Sequence, residues 1–147
     1  MASGTMKWYR AGLVSFLSGS IDFPNDKIKV MLTTSSYTPA QDTHDFKNDV
    51  TNEVSGTGYT AGGYTLGTKS VGTSAGCIAR LIAGDAAWST SYITNARNAV
   101  VYASTNATGT LCPLIGYCTF DADTSSSNGT FTLDFDGTNG LLYIDGA

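Results

Sequence analysis

Residues 130–136 read Thr130-Phe131-Thr132-Leu133-Asp134-Phe135-Asp136, the cleanest alternation in the chain. Successive side chains of an extended strand point to opposite faces, so Phe131, Leu133 and Phe135 share one side and the Thr and Asp residues share the other. One apolar face and one polar face mark a strand that packs on a core and is wetted behind, as in antiparallel sheets.

Working outward, Gly137–Gly140 and Ser125–Gly129 read as turns, and Leu141–Asp145 as the next strand. Upstream, strands are predicted at Leu114–Asp121, Ala99–Ser104, Ala87–Thr94, Gly76–Ala83 and Gly63–Thr68, with turn signals at Asn106–Gly109 and Ala83–Asp85. Farther back, Lys27–Thr33 alternates Lys27 and Lys29 with Ile28, Val30 and Leu32, which predicts a half-buried strand. No helical pattern lies between the later strands, so parallel crossovers have no place. The expectation is an all-β chain, 1–147 as one domain, built as an antiparallel β-sandwich or jelly-roll.

Composition agrees. Of 147 residues, 15 are Ser, 21 Thr and 17 Gly, while Lys and Arg together number 8 and Glu occurs only at Glu53. Several long helices would need more Glu, Lys and Arg on their surfaces. The 8 Tyr, 6 Phe and 2 Trp are enough to fill a core, which argues against disorder. Net charge is −4, and the basic residues are scattered without a run. Neither nucleic acid nor an anionic membrane is an expected partner. No apolar run is long enough to span a bilayer, and the opening residues 1–20 read as mature structure instead of an export signal.

Two segments depart from the strand pattern. Met6, Tyr9, Leu13, Phe16 and Leu17 recur at helical steps, predicting a short helix over 6–18, with a strand as the alternative. Residues 34–63 show no period and are rich in Thr, Ser, Asp, Asn and Gly. They predict a long loop or arm, with a short helix around Thr43–Val54 as an option, because Phe46, Val50 and Val54 lie four apart. Within it, Gly56–Tyr64 lacks the phosphate-loop pattern and reads as a Gly- and Tyr-rich arm draped over a neighbour. On that reading, deleting Thr43–Tyr59 spares the fold.

The candidate chemistry is thin. Asp42, Asp45 and Asp49 supply hard oxygen ligands for a cation, but their spacing does not match an EF-hand. His44 beside Asp45 and Asp49 offers acid and base for a hydrolase; the alternative is a solvated, turn-rich loop. No GxSxG elbow is present, and Gly72–Gly76 reads as a turn. The three cysteines, Cys77, Cys112 and Cys118, form no disulfide framework or zinc spacing and read as small buried or half-buried thiols made in a reducing cytoplasm. The aromatics Trp8, Tyr9, Tyr37, Tyr59, Tyr64, Trp88, Tyr92, Tyr102 and Tyr117 allow a glycan-stacking surface, although core and protein contacts use the same residues.

The segment Lys27–Leu32 and the stretch Ser36–Phe46, continuing Asp49–Gly63 as DVTNEVSGTGYTAGG, resemble a family of small structural proteins of tailed bacteriophages and prophages. The segments Pro113–Tyr117, Ser125–Phe131 and Gly140–Ile144 are similar to that family too. The resemblance implies a virion component and not an enzyme, with no cofactor. By analogy of fold it implies a capsid cement (decoration) protein at the capsid surface, assembled in the host bacterial cytoplasm, with the major capsid protein and other copies of itself as partners. Contacts would come from the N-terminal segment and the arm: Trp8, Leu13, Phe16, Tyr37, His44, Phe46, Tyr59 and Tyr64. The alternative is a tail, neck or fibre component with a glycan-binding surface.

Overall fold

A computed structural model describes residues 4–75, 77–106, 108–135 and 137–145. The ends of two expected strands, Gly76 and Asp136, and the Cys77 thiol lie outside what is described. The chain is mostly β, with 41% strand against 8% helix. In order the elements are β1 (Lys7–Trp8), α1 (Arg10–Leu17), β2 (Ile28–Thr33), a 3₁₀ turn (Lys47–Asp49), β3 (Tyr64–Thr65), β4 (Ser70–Ser74), β5 (Cys77–Ile82), β6 (Ala86–Ser91), β7 (Ala96–Ala103), β8 (Leu114–Thr124), β9 (Gly129–Leu133) and β10 (Leu142–Ile144). Every expected strand is present within a few residues. β1 and β4 are additions, one too short and the other too polar to show a period.

Among the described residues all strand pairings are antiparallel and make three sheets: β1-β8-β7-β2-β3, β10-β5-β4 and β6-β9. In the large sheet β2 runs beside β7 from Ile28 opposite Ala103 to Thr33 opposite Asn98. This register puts Ile28, Val30 and Leu32 on one face with Ala103, Val101 and Ala99. They join the main core cluster, to which the smaller sheets contribute Leu81, Trp88, Phe131, Leu133 and Leu142. The residues between them face the other way. There Met31, Val100, Tyr102 and Leu114 gather with Tyr9, Tyr37, Cys112 and Tyr117 in a second cluster.

The second cluster corrects the sequence reading of β2. A half-buried strand was expected, but Met31 and Thr33 on its supposed wet face are 1% and 0% exposed. Part of the cover is the aperiodic segment after β2, which brings Tyr37 and Val50, and part is Tyr9 and Cys112 from elsewhere in the chain, so it is invisible to any local pattern. The expected helix over 6–18 is correspondingly shorter. Lys7–Trp8 pairs with β8 as strand, and the helix begins at Arg10. Gly12 lets α1 lie close on β8, since a Cβ there would stand 2.5 Å from the Leu114 carbonyl oxygen.

Candidate functional site

The segment 34–63 holds Tyr37, His44, Phe46 and Tyr59, four of the eight residues expected to make partner contacts. It is no free arm. The first half is fastened by Asn98, a 1% exposed residue of β7. Its Nδ2 donates to Thr33 Oγ1 at 3.1 Å, Thr34 O at 3.3 Å and Tyr37 O at 3.0 Å, and its Oδ1 accepts from Thr119 Oγ1 at 2.8 Å. Tyr37 is therefore pulled under the segment and is 4% exposed. It was expected at a partner surface; the structure buries it in the second cluster instead.

Under this strap runs a polar chain. The Tyr9 and Tyr37 hydroxyls are 2.9 Å apart, and the Tyr37 hydroxyl is 2.9 Å from His44 Nδ1. The Ala40 N–H also points at Nδ1, at 3.3 Å. An N–H only donates, so Nδ1 is the acceptor and the ring proton sits on Nε2. The direction follows: Tyr9 donates to Tyr37, and Tyr37 donates to His44. The imidazole also stacks on Tyr37, with ring centroids 5.5 Å apart. Burial pushes both phenols above their ordinary range, so they stay neutral donors. His44 is thus a packing and hydrogen-bonding residue of the strap.

The three candidate cation ligands have separate duties. Asp42 pairs with Arg10 Nε at 2.8 Å, both side chains being well exposed. Asp49 Oδ2 accepts the N–H groups of Asp45 at 2.9 Å and Phe46 at 3.2 Å and so caps the 3₁₀ turn. The Asp45 backbone bond is the main reason its carboxyl is held below the ordinary carboxylate range. Asp45 moves the other way, raised by partial desolvation and then by its contact with Asp49. Among the described residues no three His, Cys, Asp or Glu side chains are grouped to hold a metal ion.

The second half of the segment is clasped by Glu53. Its Oε1 accepts Tyr59 OH at 2.8 Å and the Gly62 N–H at 2.7 Å. Tyr59 OH in turn accepts the Leu32 N–H at 3.0 Å, and Tyr102 OH donates to Gly62 O at 2.6 Å. Tyr59 stacks on Trp88 at 5.8 Å, and Tyr64 meets the same ring edge-on at 5.6 Å. Gly63, at φ +85°, has no room for a side chain: a Cβ would lie 2.0 Å from the Val30 carbonyl oxygen. The stretch that reads as a drape over a neighbour is draped over the chain's own β2.

The N-terminal candidates are likewise turned inward. Trp8 Nε1 donates to Tyr143 O at 2.9 Å, and its ring meets Phe16 edge-to-face at 5.6 Å. Trp8, Leu13, Phe16, His44, Phe46, Tyr59 and Tyr64 are all half-buried. Of the nine aromatics considered for glycan stacking, only Tyr92 is well exposed, at 46%. Among the described residues the other large apolar side chains that are exposed are Val14, Leu17, Val71, Leu111, Tyr143 and Ile144. Sequence reading missed most of them because a period shows which residues share a face, not whether that face is covered. An open polar groove of about 400 Å³ lies beside β1 and β8, lined by Gly4, Thr5, Lys7, Tyr117, Thr119 and Asp121.

No protein-family model, characterised protein sequence or solved structure matches this chain. Among the described residues, no helix is long and apolar enough to cross a membrane.

Proposed function

We propose that this chain is a structural virion protein of a tailed bacteriophage, a capsid cement protein that bridges and stabilises major capsid protein subunits. The observation that carries the reading is the fixed state of residues 36–63, the stretch that resembles phage structural proteins. Asn98 and Glu53 hold it against the sheet, so its outer side is a rigid, preorganised surface. A protein that binds many identical sites on a shell gains from such a surface, because little ordering entropy is lost on docking. The two small sheets share a core with one face of the large sheet, which supports reading the fold as a β-sandwich. In this role the partners are the major capsid protein and further copies of the chain, and the charge of −4 keeps it off packaged DNA.

Quantifying this chain in purified virions tests the proposal. A cement protein rivals the major capsid protein in copy number and coats the shell in electron-microscopy maps. Few copies, or density confined to the tail, neck or fibres, would overturn the cement role and favour the tail reading.

A further inference from the structure

β4 closes one side of the three-stranded sheet, and no described strand pairs beyond it. The register sets Val71 opposite Leu81 and Leu81 opposite Leu142, so the three side chains form one row on one face. Leu81 and Leu142 are 5% and 2% exposed inside the main cluster, whereas Val71, next in the row, is 54% exposed. Ile144, on the same face of β10, is 36% exposed. The apolar row runs out of the core and ends in solvent at the sheet edge.

The backbone is open at the same place. Leu81 turns its carbonyl toward β10, where the Leu141 N–H donates to it at 2.7 Å. In an antiparallel ladder a residue's N–H and C=O point the same way, and the direction alternates along the strand. Val71 therefore makes no ladder bond to Leu81 and directs its own N–H and C=O away from β5.

Exposed edges are normally blunted by charge, proline or a bulge. β4 has an irregularity between Gly72 and Ser74, but residues 70–79 contain no charged residue and no proline. The rest of the molecule carries the net charge of −4, so two copies approach at least cost where this charge-free edge meets its like. An antiparallel strand edge is also self-complementary about a two-fold axis.

We propose that β4 is a self-pairing edge, at which two copies of this chain join β4 to β4 antiparallel about a two-fold axis. The two three-stranded sheets become one six-stranded sheet, and each Val71 is covered by the other copy. A second copy satisfies the open backbone groups, the apolar row and the absence of charge together. The inference rests on the self-association contained in the proposed function and says where it is made. Its test needs no particle, so the two readings fail separately.

The test is sedimentation velocity of the purified chain over a wide concentration range, with hydrogen exchange of the Val71 amide read at both ends. The expected result is a dimer at high concentration, with a Val71 amide slow in the dimer and fast in the monomer. Val71→Lys is expected to abolish the dimer by setting like charges across the edge, while melting like the dilute wild type because residue 71 is exposed. A chain that stays monomeric at every concentration overturns the proposal. So does a dimer whose Val71 amide exchanges as fast as in the monomer, which places the interface elsewhere. If Val71→Lys does not fold, the wild-type exchange measurement decides alone. Slowing of Val71 exchange only on addition of capsid shells would assign the edge to a foreign strand and also overturn the proposal.

Discussion

The Tyr37 hydroxyl is the middle member of a hydrogen-bonded chain, donating to His44 Nδ1 at 2.9 Å while accepting from Tyr9. It ties the strap over the second sheet face to the residue that leads into α1. Replacing it by Phe leaves the buried Tyr9 hydroxyl without its acceptor, and an unpaired buried polar group costs about 1–3 kcal/mol. Tyr37→Phe is therefore expected to lower the denaturant midpoint. Tyr9→Phe combined with Tyr37→Phe should cost less than the two single effects added together, since the double change leaves no orphan between them. Additive losses in chemical denaturation would show that the chain is not a unit.

The clasp at Glu53 gives a second expectation. Glu53→Ala removes the acceptor of both Tyr59 OH and the Gly62 N–H. A loss of roughly 1–3 kcal/mol follows, with faster hydrogen exchange at Gly62. An unchanged exchange rate at Gly62 would mean that the loop is held by its packing on Trp88 alone.

Deletion of Thr43–Tyr59 is the harsher version. On sequence grounds this segment looks dispensable. The structure reverses the expectation, because the deletion removes the buried Val54 along with Glu53 and Tyr59, and strips cover from Met31 and Leu114. The truncated chain is expected to be insoluble or to lack a cooperative melt. A truncated chain with a sharp thermal transition would restore the picture of a separable arm.

Acid should act through Asp49. Its carboxyl lies below the ordinary carboxylate range, chiefly because the Asp45 N–H binds the charged form. A lowered folded-state value contributes stability that is present above the unfolded-state value and is lost as pH falls through the folded one. Asp45, raised by desolvation, contributes in the opposite sense. Melting curves of wild type and Asp49→Asn should thus converge below about pH 4, the wild type falling more steeply. Parallel curves would remove Asp49 as the cause. At neutral pH, Asp49→Ala should cost about 1 kcal/mol, as for other lost capping acceptors.

Burial pushes the Cys118 thiol up to about 11, and both Cys112 and Cys118 are buried and free. The thiolate is the reactive form. An alkylating reagent at pH 8 is expected to leave these two unmodified in the native protein and to label them after denaturation. Rapid native labelling of either, read by mass spectrometry, would contradict the burial.

The strand positions were legible in the sequence because a half-buried strand carries its own signal. Phe131, Leu133 and Phe135 alternate whatever lies elsewhere in the chain, and the turn residues around them mark where they stop. Low charge and Ser, Thr and Gly content likewise excluded helical bundles without reference to any contact. Residues 34–63 were not legible. Tyr37, Glu53 and Tyr59 are held by Asn98, Gly62 and Leu32, through contacts that span up to 61 positions and leave no period behind. The exposure of Val71 was hidden for the same reason, since its row continues through Leu81 to Leu142 on two other strands. Local pattern depends on neighbours along the chain, and it determined the elements. Burial depends on neighbours in space, so only the tertiary structure decided which aromatic residues fill the core and which edge is left open.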